Sequence, residues 1–370
     1  MTRSIFLIVF ALSTVFAGDG GVFAQNGAPK GSGLTQCTRR AVSAPPVPGT
    51  LVSDGSQVFV GYLNGTVEAL SSINLESNWR AELGGEFVSD LALVENGIAV
   101  VTNPAREPAA AGDMSTVRLL SKESGITSWA VKVAYSERYF LGRINGSLAI
   151  VSKEGQVALL DRSSGQAHWQ TMPIGKLSTR PVFSPASVAF ATTDKQLTVI
   201  SAQGGRVIIK HPTDFVSTAI TYLKNDAIAA GDERGNVTLF RAEMSKAVWR
   251  FKGGAGISSV SETETGILVT SLDNFVYLIS DYNGDVIWKR RLTGRVLDGG
   301  LAVNGHFVVF IYGENSAFVM DLDEGKLTDS IPPHDKDLVN RVPVFVRDRT
   351  FALTTVDSIE VYSLGGCEKK

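Results

Sequence analysis

Residues 148–169 read LAIVSKEGQVALLDRSSGQAHW, and this stretch decides the fold. Four apolar residues, Leu148 to Val151, are followed by the turn signal Glu154-Gly155. A second apolar run from Val157 to Leu160 follows, then a glycine at Gly165 and a tryptophan at Trp169. The order is strand, hairpin, strand, glycine turn, strand. Apolar residues at i, i+3 and i+4 over ten or so positions would mark a helix, and none occur here.

The unit recurs through the chain. The five tryptophans are Trp79, Trp129, Trp169, Trp249 and Trp288, at spacings of 50, 40, 80 and 39 residues. Halving the 80 places a copy at Ile209, and one further period ends at Asp329, which makes seven copies. Four residues before the marked position stand Gly125, Gly165, Gly205, Gly284 and Gly325, with Leu75 and Ser245 as departures. Nine before it stand Leu70, Leu120, Leu160, Ile200, Phe240, Ile279 and Met320, all apolar. Turn signals lie just upstream, among them Asn64-Gly65, Arg234-Gly235 and Asp273-Asn274. A repeat of about forty residues built only from short strands implies radial repetition rather than a helical solenoid.

The strand before each hairpin occurs eight times, from 58–61 to 351–354, and an eighth third strand lies at 359–364. No eighth tryptophan-type strand follows, because Gly365-Gly366-Cys367 ends the pattern. Residues 38–43 (TRRAVS), otherwise unassigned, supply the missing strand. The expectation is an all-β chain: an eight-bladed β-propeller of four-stranded antiparallel blades, the last closed by the N-terminal strand, with residues 37–367 as one domain. Closure of this kind leaves no open sheet edge. It places Cys37 beside Cys367, the only other cysteine, and in an oxidising compartment the two are natural partners. The chain-entropy value for so long a loop is on the order of 4–5 kcal/mol. The alternative is two free buried thiols.

Composition fits a large core. Of 370 residues 44% are hydrophobic, and 37 glycines without a three-residue period mark turns rather than collagen. With 35 basic and 37 acidic residues the formal net charge is -2, and no basic tail offers a nucleic-acid footprint. Residues 1–24 read as a signal peptide: Arg3, then the apolar run 5–17, then cleavage after Ala17 or, as favoured here, after Ala24. An uncleaved anchor is the rival reading. Residues 25–36 read as a flexible linker and 368–370 as a tail. Gln36 precedes Cys37 some twenty residues beyond the apolar run, so a lipid-modified cysteine is not expected. The mature chain is expected in the periplasm or secreted, monomeric, and without direct membrane insertion.

The unit resembles the repeat of the pyrroloquinoline-quinone (PQQ) type β-propellers, whose consensus runs A-x-D-x-x-T-G-x-x-x-W. The nearest copies are residues 160–169 (LDRSSGQAHW) and 280–288 (SDYNGDVIW). The resemblance implies that the tryptophan docks on the neighbouring blade and the glycine makes a tight turn. Two branches of this superfamily of quinoprotein alcohol dehydrogenase-like propellers bear on function. The dehydrogenases hold PQQ and calcium in the central funnel, are much longer, and in many cases carry a vicinal Cys-Cys pair that is absent here. The other branch, the propeller subunit of the outer-membrane β-barrel assembly machinery (BamB), is similar in length and in its compact blades. It implies a non-catalytic protein-binding role with a partner in the cell envelope. The missing lipid-attachment site departs from it.

Catalytic patterns are not found. His168, His211, His306 and His334 fall in different repeats, without metal-ligand spacing. His168, beside Trp169 on an outer strand, reads as a surface side chain. Asp161, Asp281 and Asp321 read as caps of the glycine turn. Asn64, Asn145 and Asn236 begin glycosylation-type triplets and are read as structural. No catalytic, metal or cofactor residue is assigned, and the expectation is no enzyme and no cofactor. The alternatives are a PQQ-dependent dehydrogenase and a carbohydrate-binding or adhesive propeller. One insertion breaks the period: residues 102–115 (TNPAREPAAAGDMS) lengthen the hairpin of blade 2 by ten. It projects on the face where the blade-to-blade connections emerge. Arg106 and Glu107 in it, with Tyr139, Phe140, Asp214 and Phe215 in the connections, are the candidate partner contacts. A functionless insert is the alternative.

Overall fold

The structure, a computed structural model, describes residues 33–367 except 96, 106–111, 242–246, 315, 333–336 and 340–341. The expected signal peptide, most of the expected linker, Arg106, Glu107, His334 and Ser245 lie outside the described residues. The described residues form eight antiparallel sheets and no helix, an eight-bladed propeller. Blades 1 to 7 span 52–82, 86–134, 139–170, 182–212, 217–252, 257–291 and 300–331. Blade 8 runs Val344–Arg347, Thr350–Thr354, Ser358–Leu364 and, outermost, the N-terminal strand Leu34–Ala41.

Burial explains the blurred alternation in the sequence. Every residue of Gly97–Asn103 and Ser187–Ala191 is buried, because second strands are covered on both faces by neighbouring blades. Outer strands such as Ser77–Glu82 and Val286–Arg291 alternate, with one face packed and one in water. The apolar residues gather in eight clusters, and each cluster draws on two adjacent blades. Val100 and Leu120 of blade 2 pack with Phe59 and Ala69 of blade 1, while Val101 and Val117 face Leu148 and Ile150 of blade 3. The core is therefore a ring of junctions.

The tryptophan and glycine of the repeat meet across those junctions. Trp79, Trp129, Trp169, Trp249 and Trp288 donate their indole N–H to the carbonyls of Lys122, Arg162, Ala202, Asp281 and Leu322, each in the next blade's turn. The distances run from 2.6 to 3.1 Å. The same five rings lie over Gly125, Gly165, Gly205, Gly284 and Gly325. At Gly165, φ is +73° and an added Cβ would stand 2.6 Å from Trp129 Cε3. The position needs glycine on both counts.

The departures from the repeat become intelligible as pairs. Outer strands bulge immediately before the tryptophan position, and in the N-terminal strand the bulge falls on Cys37, so Thr38 occupies the place of the indole. Across from Thr38 stands Leu75, fully buried with φ +57°, where no ring excludes a side chain. Ile209 stands at the tryptophan position of blade 4, and the glycine position that follows it in the repeat, Ser245, lies outside the described residues. At the junction of blades 7 and 8, Asp329 accepts a hydrogen bond from the Leu34 backbone N–H at 2.9 Å.

The closing strand pairs with Ser358–Leu364 as expected, with Arg39 opposite Glu360 and Arg40 opposite Ile359. It begins at Leu34, four residues before the expected start, and ends at Ala41 rather than 43. Leu34 and Gln36, read as linker, pair with Leu364 and Tyr362. Two buried glutamates anchor it. Glu360 receives Gln36 Nε2 at 2.9 Å, Tyr362 Oη at 2.8 Å and Arg39 Nε at 3.2 Å. Glu68 of blade 1 receives Arg40 and Tyr62, each at 2.9 Å. Arg40 also donates to Leu75 O at 2.8 Å, as Arg290 does to Gly325 O at 2.6 Å. Cys37 and Cys367 are disulfide-bonded across 330 residues.

Candidate functional site

The connections between blades and the hairpins between second and third strands share one face. The base of the blade 2 insertion shows how they are held. Asn103 Nδ2 donates to Ser136 O at 3.0 Å, Ser115 Oγ donates to Asn103 Oδ1 at 2.6 Å, and the Ser136 N–H donates to Ser115 Oγ at 3.3 Å. All three residues are buried, so the two flanks of the insertion are fixed against the connection to blade 3. Beside it lies a recess of about 390 Å3 lined by Tyr135, Ser136, Glu137, Lys153, Glu154 and Lys176. Lys153 pairs with Glu137 at 2.7 Å, and that bond lowers the pKa of Glu137 and raises that of Lys153. Tyr135 is 40% exposed at its edge.

Toward the centre, charged side chains stand just ahead of innermost strands, at the mouth of the channel. Asp90 of blade 2 binds both Arg138, ahead of blade 3, and Arg180, ahead of blade 4. Both guanidinium groups lie over the ring of Phe140, at 5.8 and 5.9 Å from its centroid. Asp298, ahead of blade 7, acts electrostatically on Arg180. This cluster ties blades 2, 3 and 4 together at the channel mouth.

The expected contact residues divide. Asp214 is exposed and pairs with Arg250 at 2.5 Å. Phe215 is half-buried beneath Arg234, 5.6 Å from the guanidinium carbon to the ring centre. Phe140 is half-buried beneath its two arginines. Tyr139 does not reach the face. It is 2% exposed, its hydroxyl donates to Ala134 O at 2.5 Å, and burial pushes the phenol up to about 12. Tyr139 opens an inner strand whose first residue points into the junction of blades 2 and 3, so it is core.

The chemistry of the turns follows the sequence with one correction. Asp161 Oδ1 accepts the backbone N–H groups of Ser163 and Ser164 at 3.0 and 2.9 Å. Hydrogen bonds from the two serine hydroxyls and those amides hold its carboxyl down at about 2. Asp321 caps its turn the same way. Asp281 does not, because it stands one residue later in the turn. Ser280 Oγ accepts the Tyr282 N–H instead, and Asp281 contributes its backbone carbonyl to Trp249. His168 sits at the bulge residue of its strand and is exposed. Among the described residues no three His, Cys, Asp or Glu side chains are grouped to hold a metal ion.

Comparison with known proteins agrees with this architecture. A family model described as "Outer membrane protein assembly factor BamB" matches residues 113–252, from the third strand of blade 2 through blade 5. The chain is 20% identical over 246 residues to the outer membrane protein assembly factor BamB of Yersinia pestis, covering 58% of this chain and 60% of that protein. Among solved structures, BamB from Moraxella catarrhalis superposes with a TM-score of 0.64 at 13% identity, over 91% of this chain and 99% of that one. The computationally designed Ika8 protein gives 0.74 at 12% identity, over 89% and 99%. The C-terminal WD40 domain of Sif2 gives 0.73 at 11% identity, over 90% and 99%. At these identities the superpositions speak for the fold alone. The repeat, the tryptophan–glycine contacts and the superpositions agree: the chain is an eight-bladed β-propeller, and its residues 113–252 are similar to the assembly-factor family.

Proposed function

We propose that this chain is an exported, non-catalytic scaffold that binds a protein partner in the cell envelope, in the assembly of outer-membrane proteins. The observation that carries the reading is the match of residues 113–252 to the assembly-factor family. That segment includes the recess lined by Tyr135, Lys153 and Lys176 on the loop face. A ring of eight two-blade cores, closed by a disulfide, presents its loops at little conformational cost, since binding orders few residues. The disulfide fits an oxidising compartment, and any membrane association is through the partner.

The test is chemical crosslinking in native cell envelopes followed by affinity capture and mass spectrometry, with a parallel strain lacking residues 106–111. Recovery of β-barrel assembly components, reduced by the deletion, supports the reading. Recovery of no envelope partner, or complete secretion into the medium, overturns it.

A further inference from the structure

The disulfide that joins the two ends of the propeller sits at the surface of blade 8, outside the hydrogen-bond ladder of its strands. Cys37 is the bulge residue of the closing strand, where the pairing passes from Gln36–Tyr362 directly to Thr38–Val361. Its Sγ stands 3.7 Å from Thr35 O in an exposed contact, although the residue as a whole is half-buried. Cys367 follows Gly365 and Gly366, and all three are exposed. A thiolate exchanges with a disulfide only where it can reach a sulfur, and exposed disulfides belong to the labile class. Opening this bond takes no residue out of the ladder.

Other groups hold the closing strand in the folded state. Glu68 and Glu360 are 6% and 1% exposed, and each draws an arginine from this strand, Arg40 and Arg39 respectively. Undocking the strand would leave both buried carboxylates without those arginines, which is strongly destabilising. A disulfide across 330 residues acts instead chiefly on the unfolded chain, whose freedom it restricts. From these observations we infer that Cys37–Cys367 is a thiol-exchange site of the folded protein, with a dithiol as its reactant. One thiolate of the dithiol attacks Cys367 Sγ, the bond to Cys37 breaks, and Cys37 leaves as a thiolate that takes a proton from water. The second thiolate of the dithiol then attacks its own partner sulfur in the mixed disulfide, and Cys367 leaves. The protein disulfide gains two electrons, and the dithiol is oxidised to its disulfide. The blade stays closed while the fold loses stability. This chemistry is independent of any envelope partner.

The probe is dithiothreitol, added to the oxidised full chain, with the freed thiols trapped by alkylation and counted by mass spectrometry. Exchange in the folded protein predicts a rate that doubles with each doubling of dithiothreitol and stays flat in urea below the unfolding midpoint. A rate that climbs about tenfold or more per molar urea, or that levels off at high dithiothreitol, means that the chain unfolds first and overturns the inference. Hydrogen exchange reads the closure itself. After reduction the parent should keep the protected amides of residues 34–41 while its melting temperature falls. The Arg39→Met/Arg40→Met variant should keep that protection only while the disulfide is intact. Loss of protection in the reduced parent, or its retention in the reduced variant, overturns the role given to the two glutamates. The kinetic arm uses the parent chain alone, so it decides even if the variant does not fold.

Discussion

Replacing Gly165 by alanine isolates the contact that defines the repeat. Gly165 has φ +73°, and the added methyl would lie 2.6 Å from Trp129 Cε3. Left-handed backbone costs an L-residue about 1–2 kcal/mol. Forcing a methyl group into a packed junction costs about 1–3 kcal/mol more. The substitution should therefore lose about 2–5 kcal/mol in urea-induced unfolding. Gly146 is the internal control: φ is +82° and an added Cβ meets nothing within 4 Å, so Gly146→Ala should carry only the backbone cost of about 1–2 kcal/mol. The double variant Trp129→Ala/Gly165→Ala closes the argument. With the indole gone the methyl has room, so the two losses should sum to more than the double variant shows, by about 1–3 kcal/mol. If Gly165→Ala costs no more than Gly146→Ala, the ring does not exclude a side chain and the account of the departures at Leu75 and Ser245 fails.

Further outcomes follow from the closing blade and the loop face. Mass spectrometry of unreduced peptides should show Cys37 joined to Cys367, and the Cys37→Ser/Cys367→Ser variant should lose about 2–5 kcal/mol of stability. For Glu68, burial raises the pKa, but hydrogen bonds from Ser77 and Tyr62 and the charge of Arg40 outweigh it and hold the carboxyl below 4.5. A depressed folded pKa contributes stability above pH 4.5 that is lost as pH falls through the folded value. Unfolding measured from pH 6 down should thus show a loss beginning near 4.5, and Arg40→Met should make that loss shallower. Deletion of residues 106–111 should leave stability within about 1 kcal/mol of the parent, as surface changes do, and act only on partner recovery.

The three outer strands of each blade were legible because their periods are long and marked. Trp169, Gly165 and the Glu154-Gly155 turn fix a register that Leu148 and Leu160 corroborate. The innermost strands were not assigned to residues. In blade 1 the innermost strand is Val52–Ser53 and in blade 4 Val182–Phe183, two residues each, too short for a side-chain period. Blade 2 splits the role between Glu86–Phe87 and Ala92–Val94. The start of the closing strand was missed because Leu34 and Gln36 sit in polar surroundings and pair with residues some 330 positions away. Tyr139 and Phe140 are adjacent aromatics of which one points into the core, and nothing local in the sequence says which. The Asp90–Arg138–Arg180 cluster joins three repeats at positions outside the regular spacing of the unit, so no motif announced it.

The central claim is that the face carrying the blade connections contacts a protein partner in the envelope. A photo-crosslinking amino acid placed at Tyr135 on that face, and separately at the exposed Ser163 in a glycine turn on the opposite face, tests it in living cells. The account predicts adducts with β-barrel assembly components from position 135 and none from position 163. Adducts from position 163 alone, or none from either position, would contradict it.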